Sequence, residues 1–293
     1  MLYRELGNTG LQVSVIGLGA GHIGRKNQDD GDIDRLLRTA VDAGINLIDT
    51  ARSYGASEER TGRFLKRNKS RIILSTKVGY SYRDATDWSF EATMGGIEES
   101  LQRLQTDHIG IAHLHSCSRE ILERGDAILA LEKAKEQGKI GVIAYSGEND
   151  ALQFAIRSRK FGSIQCSVNI FDQAGFTKYL PEASQAGLGI IAKRPLGNAV
   201  WRYQSRPDGH GHALYYDRFL RMQPLIAEMD PAELAIRFAA YAPHVSTVIT
   251  GTTNPHHLIR NIEWINCGPL PESVISELME SFGKLGQDSA GLI

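Results

Sequence analysis

The sequence predicts an α/β protein, one (β/α)8 barrel spanning residues 1–293. Three observations carry this: eight short apolar runs, longer amphipathic stretches between them, and glycines where several of those stretches stop. The runs are Val13–Leu18, Ile45–Asp49, Ile72–Lys77, Ile109–Leu114, Gly141–Tyr145, Ile164–Val168, Gly189–Ala192 and Thr247–Thr250. Strands buried on both faces of a parallel sheet read as such continuous hydrophobic segments. Between them, Asp32–Ala43 places Leu36, Leu37, Ala40 and Val41 at helical spacing, and Ala127–Gln137 does the same with Ile128, Leu131 and Ala134. Gly44, Gly138 and Gly187 supply the left-handed residue that ends a helix. Eight alternations of strand and helix close a barrel.

Two decorations and one long insertion complete the chain. Residues 2–12 contain Gly7-Asn8-Thr9-Gly10, a turn signal for a short N-terminal hairpin, and 271–285 predicts a C-terminal helix. Pro195–Met229 follows the seventh strand as a loop of unusual length. Loops that follow barrel strands surround the active site, so this segment borders it.

Composition narrows the function. With 42% hydrophobic and 23% charged residues the chain is globular and not disordered. A net charge of -1 gives no bulk attraction to nucleic acid or to an anionic membrane, which leaves a small molecule as the expected partner. Cys117, Cys166 and Cys267 form no CxxC pair and are too few for a disulfide framework, which points to a reducing compartment. The first residues lack the apolar run of a signal peptide, and nothing approaches the ~18 apolar residues of a membrane span. The expectation is a soluble, cytoplasmic protein.

Four residues at or just beyond predicted strand ends suggest the chemistry: Asp49 and Tyr54 after the second run, Lys77 after the third and His115 after the fourth. A cation beside a phenol favours the phenolate, and a carboxylate holds the cation in place. With an imidazole added, the set can deliver a proton to an oxygen on which negative charge develops, as reduction of a carbonyl requires.

These residues sit in stretches that resemble the aldo-keto reductase family in order and over nearly the whole chain. The matching pieces are residues 16–19, 46–55, 75–79, 101–115, 138–147, 164–169, 191–197 and 251–258. The resemblance implies a TIM-barrel oxidoreductase in which Tyr54 gives a proton to the substrate oxygen, Lys77 favours its ionisation, Asp49 holds Lys77 and His115 orients the carbonyl. It implies hydride from a nicotinamide cofactor, NADP(H) first and NAD(H) as the alternative. Ser146 and Gln165 match positions that hold the carboxamide, and Gly251, Thr252, Thr253, Asn254, His257 and Asn261 cover the adenine and ribose-phosphate segment.

Departures from the family pattern bear on the cofactor. Gly147 stands where Asn often follows the serine, and Lys193 stands where an aromatic ring often stacks on the nicotinamide, so Lys193 is a candidate phosphate partner. Gly251 and His257 replace the lysine and arginine that commonly grip a 2′-phosphate, with Arg260 and Arg194 as nearby substitutes. Members that act as NAD-dependent sugar or alcohol dehydrogenases therefore form the second reading.

Rival readings are weaker. Gly17, Gly19, Gly21 and Gly24 are followed by a polar loop and not by an immediate helix, which argues against a Rossmann site. They are expected to let the first loop pass close to cofactor and substrate. His113 and His115 share one strand face and could bind zinc for a hydrolase, but later strand ends offer no further ligands. A non-catalytic barrel would be expected to have lost Tyr54 or Lys77. His210 and His212 are expected to be solvated in the long loop. The aromatics Tyr80, Tyr82, Trp88, Trp201, Tyr203, Tyr215 and Tyr216 fit equally as pocket lining or as loop anchors.

Overall fold

The computed structural model describes residues 1–68, 71–226, 229–286 and 291–292. Two short strands, β1 (Tyr3–Glu5) and β2 (Gln12–Ser14), pair antiparallel as the N-terminal hairpin. The barrel follows as β3 (Ile16–Gly19), β4 (Leu47–Asp49), β5 (Ile73–Val78), β6 (Ile109–His115), β7 (Ile140–Ser146), β8 (Ser163–Ser167), β9 (Gly189–Lys193) and β10 (Thr247–Thr250). Each pairs in parallel with its neighbour in sequence, and β10 joins both β9 and β3 to close the ring. All eight therefore point their C-terminal ends at one mouth.

The first expected run, Val13–Leu18, is divided between two strands. Ser14 is buried, with its hydroxyl donating to the Ile16 carbonyl at 2.7 Å and its backbone N–H donating to Asn46 Oδ1 at 2.7 Å. That local turn ends the hairpin and starts β3. The hairpin closes the end of the barrel opposite the mouth: Leu6 and Val13 join Leu47, Ile111, Ala144 and Ile191 in the interior cluster. Apolar residues on the outer strand faces pack beneath the surrounding helices in the main core.

The long segment after β9 is not the expected loop. It holds a 3-10 helix, Gly197–Arg202, and an α-helix, His210–Ile226. Tyr215, Tyr216 and Met222 of this helix pack with Leu278 and Phe282 of the C-terminal helix Glu272–Gly283, a separate core beside the barrel. Tyr215 and Tyr216 thus anchor the segment. His210 and His212 are exposed, as expected, but lie in the first helical turn.

Candidate active site

Side chains from six strand ends and one turn build the mouth. Asp49 ends β4, Lys77 lies next to the end of β5, His115 ends β6, Ser146 ends β7, Gln165 lies in β8 and Lys193 ends β9. Tyr54 sits in the turn between Asp49 and the helix Ser57–Arg67. Its N–H donates to the Ala51 carbonyl, and its own carbonyl accepts from Ser57 N–H.

The first loop is pressed onto that turn. A methyl on Gly24 would lie 1.5 Å from the Tyr54 carbonyl oxygen, and one on Gly21 would touch the Tyr54 ring at 3.6 Å. Two buried hydroxyls secure the contact, with Thr50 Oγ1 donating to Ser57 Oγ and Ser57 Oγ donating to the Ala20 carbonyl, both at 2.8 Å. Arg60 gathers the loop beyond: its guanidinium donates to the carbonyls of Ile23, Arg25 and Gln28 at 2.5, 2.9 and 2.8 Å, and pairs with Asp30 at 2.7 Å. The glycines thus serve Tyr54 directly.

Lys77 Nζ lies 2.5 Å from Asp49 Oδ2 and donates to the Thr50 carbonyl at 2.8 Å. It sits 5.1 Å from the centroid of the Tyr54 ring. Both charges are buried. Burial works against the Asp49 carboxylate, but Lys77, and then His113 and a hydrogen bond from Ser75, hold it below its ordinary value. Burial likewise opposes the Lys77 ammonium, yet Asp49 and then Tyr54 raise it. The pair is therefore a fixed cation beside a phenol.

Asp49 Oδ1 accepts from Ser75 Oγ at 2.7 Å and from Gln165 Nε2 at 3.0 Å, while Ser146 Oγ donates to Gln165 Oε1 at 2.9 Å. A continuous buried network thus links the two residues expected at the carboxamide to the carboxylate that holds Lys77. Ser75 was not singled out from sequence, although its place two residues before Lys77 on one strand face was available as a signal.

Both histidines of β6 are neutral. Burial, followed by the positive charge of Lys77 and Lys193, lowers His115 to about 3. Burial is also the main cause that lowers His113 to about 3. His113 Nε2 lies 3.0 Å from Ser75 Oγ, and His115 Nδ1 lies 2.8 Å from Tyr80 OH. Each ring answers to a different hydroxyl. Among the described residues, no three His, Cys, Asp or Glu side chains are placed to hold a metal ion.

Lys193 is engaged within the chain. Its ammonium lies 3.2 Å from Glu148 Oε1, a buried carboxylate that also accepts from Ser167 N–H and Ser167 Oγ, each at 2.8 Å. Arg194 donates to Ser167 Oγ at 3.1 Å and to the Leu292 carbonyl at 2.7 Å. Arg260 lies 3.4 Å from Glu263 and over the Trp264 ring.

After β10, residues 251–254 lead into the helix Pro255–Asn266. Thr252 Oγ1 accepts from Asn254 N–H, and Asn254 Oδ1 caps the helix by accepting from His256 N–H, both at 3.0 Å. His257 is exposed and Asn261 is buried. A methyl on Gly251 would lie 2.6 Å from His22 Nδ1, so this glycine admits the first loop. The residues present fit a nicotinamide dinucleotide. Ser146 and Gln165 carry the hydroxyl and amide chemistry that a carboxamide pairs with, and the positive end of a capped helix suits phosphate.

The model of the aldo/keto reductase family matches residues 15–281. L-galactose dehydrogenase of Arabidopsis thaliana is 32% identical, with 71% of this chain and 69% of the relative covered. D-threo-aldose 1-dehydrogenase of a Pseudomonas species is 28% identical, with coverage of 93% and 95%. An aldo-keto reductase from Bacillus halodurans, solved in its holo form, superposes with a TM-score of 0.84 at 25% identity, covering 96% of each chain. The chain belongs to the aldo/keto reductase family. It is a nicotinamide-dependent oxidoreductase of CH–OH and carbonyl groups on a TIM barrel. No helix among the described residues is long and apolar enough to cross a membrane.

Proposed function

We propose that residues 1–293 act as one catalytic domain that reduces an aldehyde or ketone with NADPH, with Tyr54 as proton donor, and that runs in reverse on the matching alcohol. The observation that supports this most is the buried Lys77–Asp49 pair, with the ammonium 5.1 Å from the Tyr54 ring. The bound nicotinamide supplies the hydride. As negative charge grows on the substrate oxygen, Tyr54 transfers its proton to it, and Lys77 stabilises the phenolate left behind. Asp49, held by Ser75 and Gln165, keeps the ammonium facing the phenol. Neutral His115 donates a hydrogen bond that orients the carbonyl without adding a charge. Ser146 and Gln165 hold the carboxamide, and Gly251, Thr252, Thr253, Asn254, His257 and Asn261 border the adenine end. The free thiols Cys117, Cys166 and Cys267 suit a reducing, cytoplasmic setting.

A second reading, an NAD-dependent sugar or alcohol dehydrogenase, is favoured by one observation: Arg194 and Arg260, the substitutes for a 2′-phosphate grip, both have partners within the chain. The names of the sugar dehydrogenases among its relatives point the same way.

Two measurements test the proposal. Tyr54→Phe should lower turnover by about 10² to 10⁴ while leaving NADPH binding intact, and a fully active variant removes the proposed acid. Fluorescence titration with NADPH and NADH at one ionic strength then separates the readings by which cofactor binds tighter.

A further inference from the structure

Tyr80 is one of the half-buried aromatics of the loop after β5, three residues beyond Lys77. Its hydroxyl lies 2.8 Å from His115 Nδ1 and 3.2 Å from Ser53 Oγ. Its ring stacks on the imidazole with centroids 5.2 Å apart and planes inclined by 28°. Trp88 backs it edge-on at 5.5 Å, and Gly79, at φ 130°, leaves no room for a side chain beside that indole. Among the described residues, His115 Nε2 makes no hydrogen bond within the protein.

We infer that Tyr80 is the positioning residue of His115: its phenol donates to Nδ1, which places the ring hydrogen on Nε2 and leaves that N–H to the substrate oxygen. The chemistry of the two groups sets the direction. An imidazole nitrogen is a strong acceptor and a phenol a good donor, whereas a phenol oxygen is a poor acceptor for an imidazole N–H. A neutral imidazole carries only one hydrogen, so the bond at one nitrogen decides the other. The exposed Ser53 hydroxyl, at 3.2 Å, is the longer and therefore weaker of the two contacts open to the phenol hydrogen, against 2.8 Å to Nδ1. Burial raises Tyr80 above its ordinary value and keeps it protonated as a donor. The inference rests on the proposed role of His115, and it adds the residue that makes that role possible.

The test is spectroscopic and does not depend on turnover. Protein labelled with ¹⁵N-histidine is studied by two-bond ¹H–¹⁵N correlation, with the His115 signals identified by their loss in His115→Gln. The wild type should show a neutral ring with hydrogen on Nε2 from pH 5 to 8. Tyr80→Phe keeps the ring stacking and removes only the hydroxyl, and should convert His115 to a mixture of tautomers or to the Nδ1–H form. Hydrogen on Nδ1 in the wild type, or an unchanged tautomer in Tyr80→Phe, overturns the inference. Kinetics then address the reaction: Tyr80→Phe should lower kcat/KM for an aldehyde by about tenfold with NADPH affinity unchanged. Should the tautomer move while Tyr80→Phe and His115→Gln both reduce the aldehyde at the wild-type rate, the proposed part of His115 falls, independently of the tautomer result.

Discussion

Gln165 donates its amide N–H to Asp49 at 3.0 Å, on the same oxygen that receives Ser75. The amide proposed to hold the carboxamide and the carboxylate that holds Lys77 are therefore one hydrogen-bonded unit. Gln165→Ala should weaken NADPH binding about tenfold and lower turnover as well, because it removes a donor from a buried carboxylate. Ser146→Ala, which touches only the amide oxygen, should weaken binding and leave kcat close to the wild-type value. Titration and steady-state kinetics on both variants check the difference, and equal kcat in the two would deny the link.

Breaking the Lys77–Asp49 pair should cost more than removing it. Lys77→Met strands a buried carboxylate and should destabilise the protein by about 3 to 5 kcal/mol, measured by urea unfolding. Adding Asp49→Asn should recover much of that stability without restoring turnover. A double variant no more stable than Lys77→Met would mean that the lost charge pairing is not the source of the cost.

Asp172 carries an acid-side stability effect. Burial raises it from 3.8 to about 6, with Glu148 adding to the shift, although Leu292 N–H and Tyr215 hydrogen-bond to it. A carboxyl raised in the folded state stabilises when protonated. Its contribution is complete below about pH 4 and is lost as pH rises through 6, a swing of about 2 to 3 kcal/mol. Asp172→Asn should flatten unfolding free energy across that window, and an unchanged slope would assign the effect elsewhere.

His115, lowered to about 3, does not titrate between pH 5 and 8. The kcat/KM profile over that range should therefore keep its shape in His115→Gln even as its height falls. A limb that disappears with the histidine would contradict the neutral ring.

Much of the site was legible because acid, base and cation residues at the ends of apolar runs have few structural reasons to align. Asp49, Lys77 and His115 stood out at strand ends, and the closed ring confirms that those ends meet. Other features depend on contacts distant in sequence. Nothing local distinguishes Tyr80 from Tyr82, since its role appears only when β6 brings His115 beside it. Lys193 read as a candidate phosphate partner, whereas the turn after β7 supplies Glu148 to it. The helix His210–Ile226 was concealed by Gly211 and by the buried Arg218, which interrupt its apolar pattern. The break in Val13–Leu18 hangs on one serine hydroxyl, which an apolar pattern does not register.

Arg60 has a consequence for how the enzyme can change its diet. By clasping the carbonyls of Ile23, Arg25 and Gln28, it makes the segment that flanks Tyr54 an abutment and not a door. A larger guest cannot be admitted by swinging that side outward without also shifting Tyr54, the proposed proton donor. Tolerance for new substrates must be gained on the opposite shore, and Tyr54 keeps its place while the clientele changes.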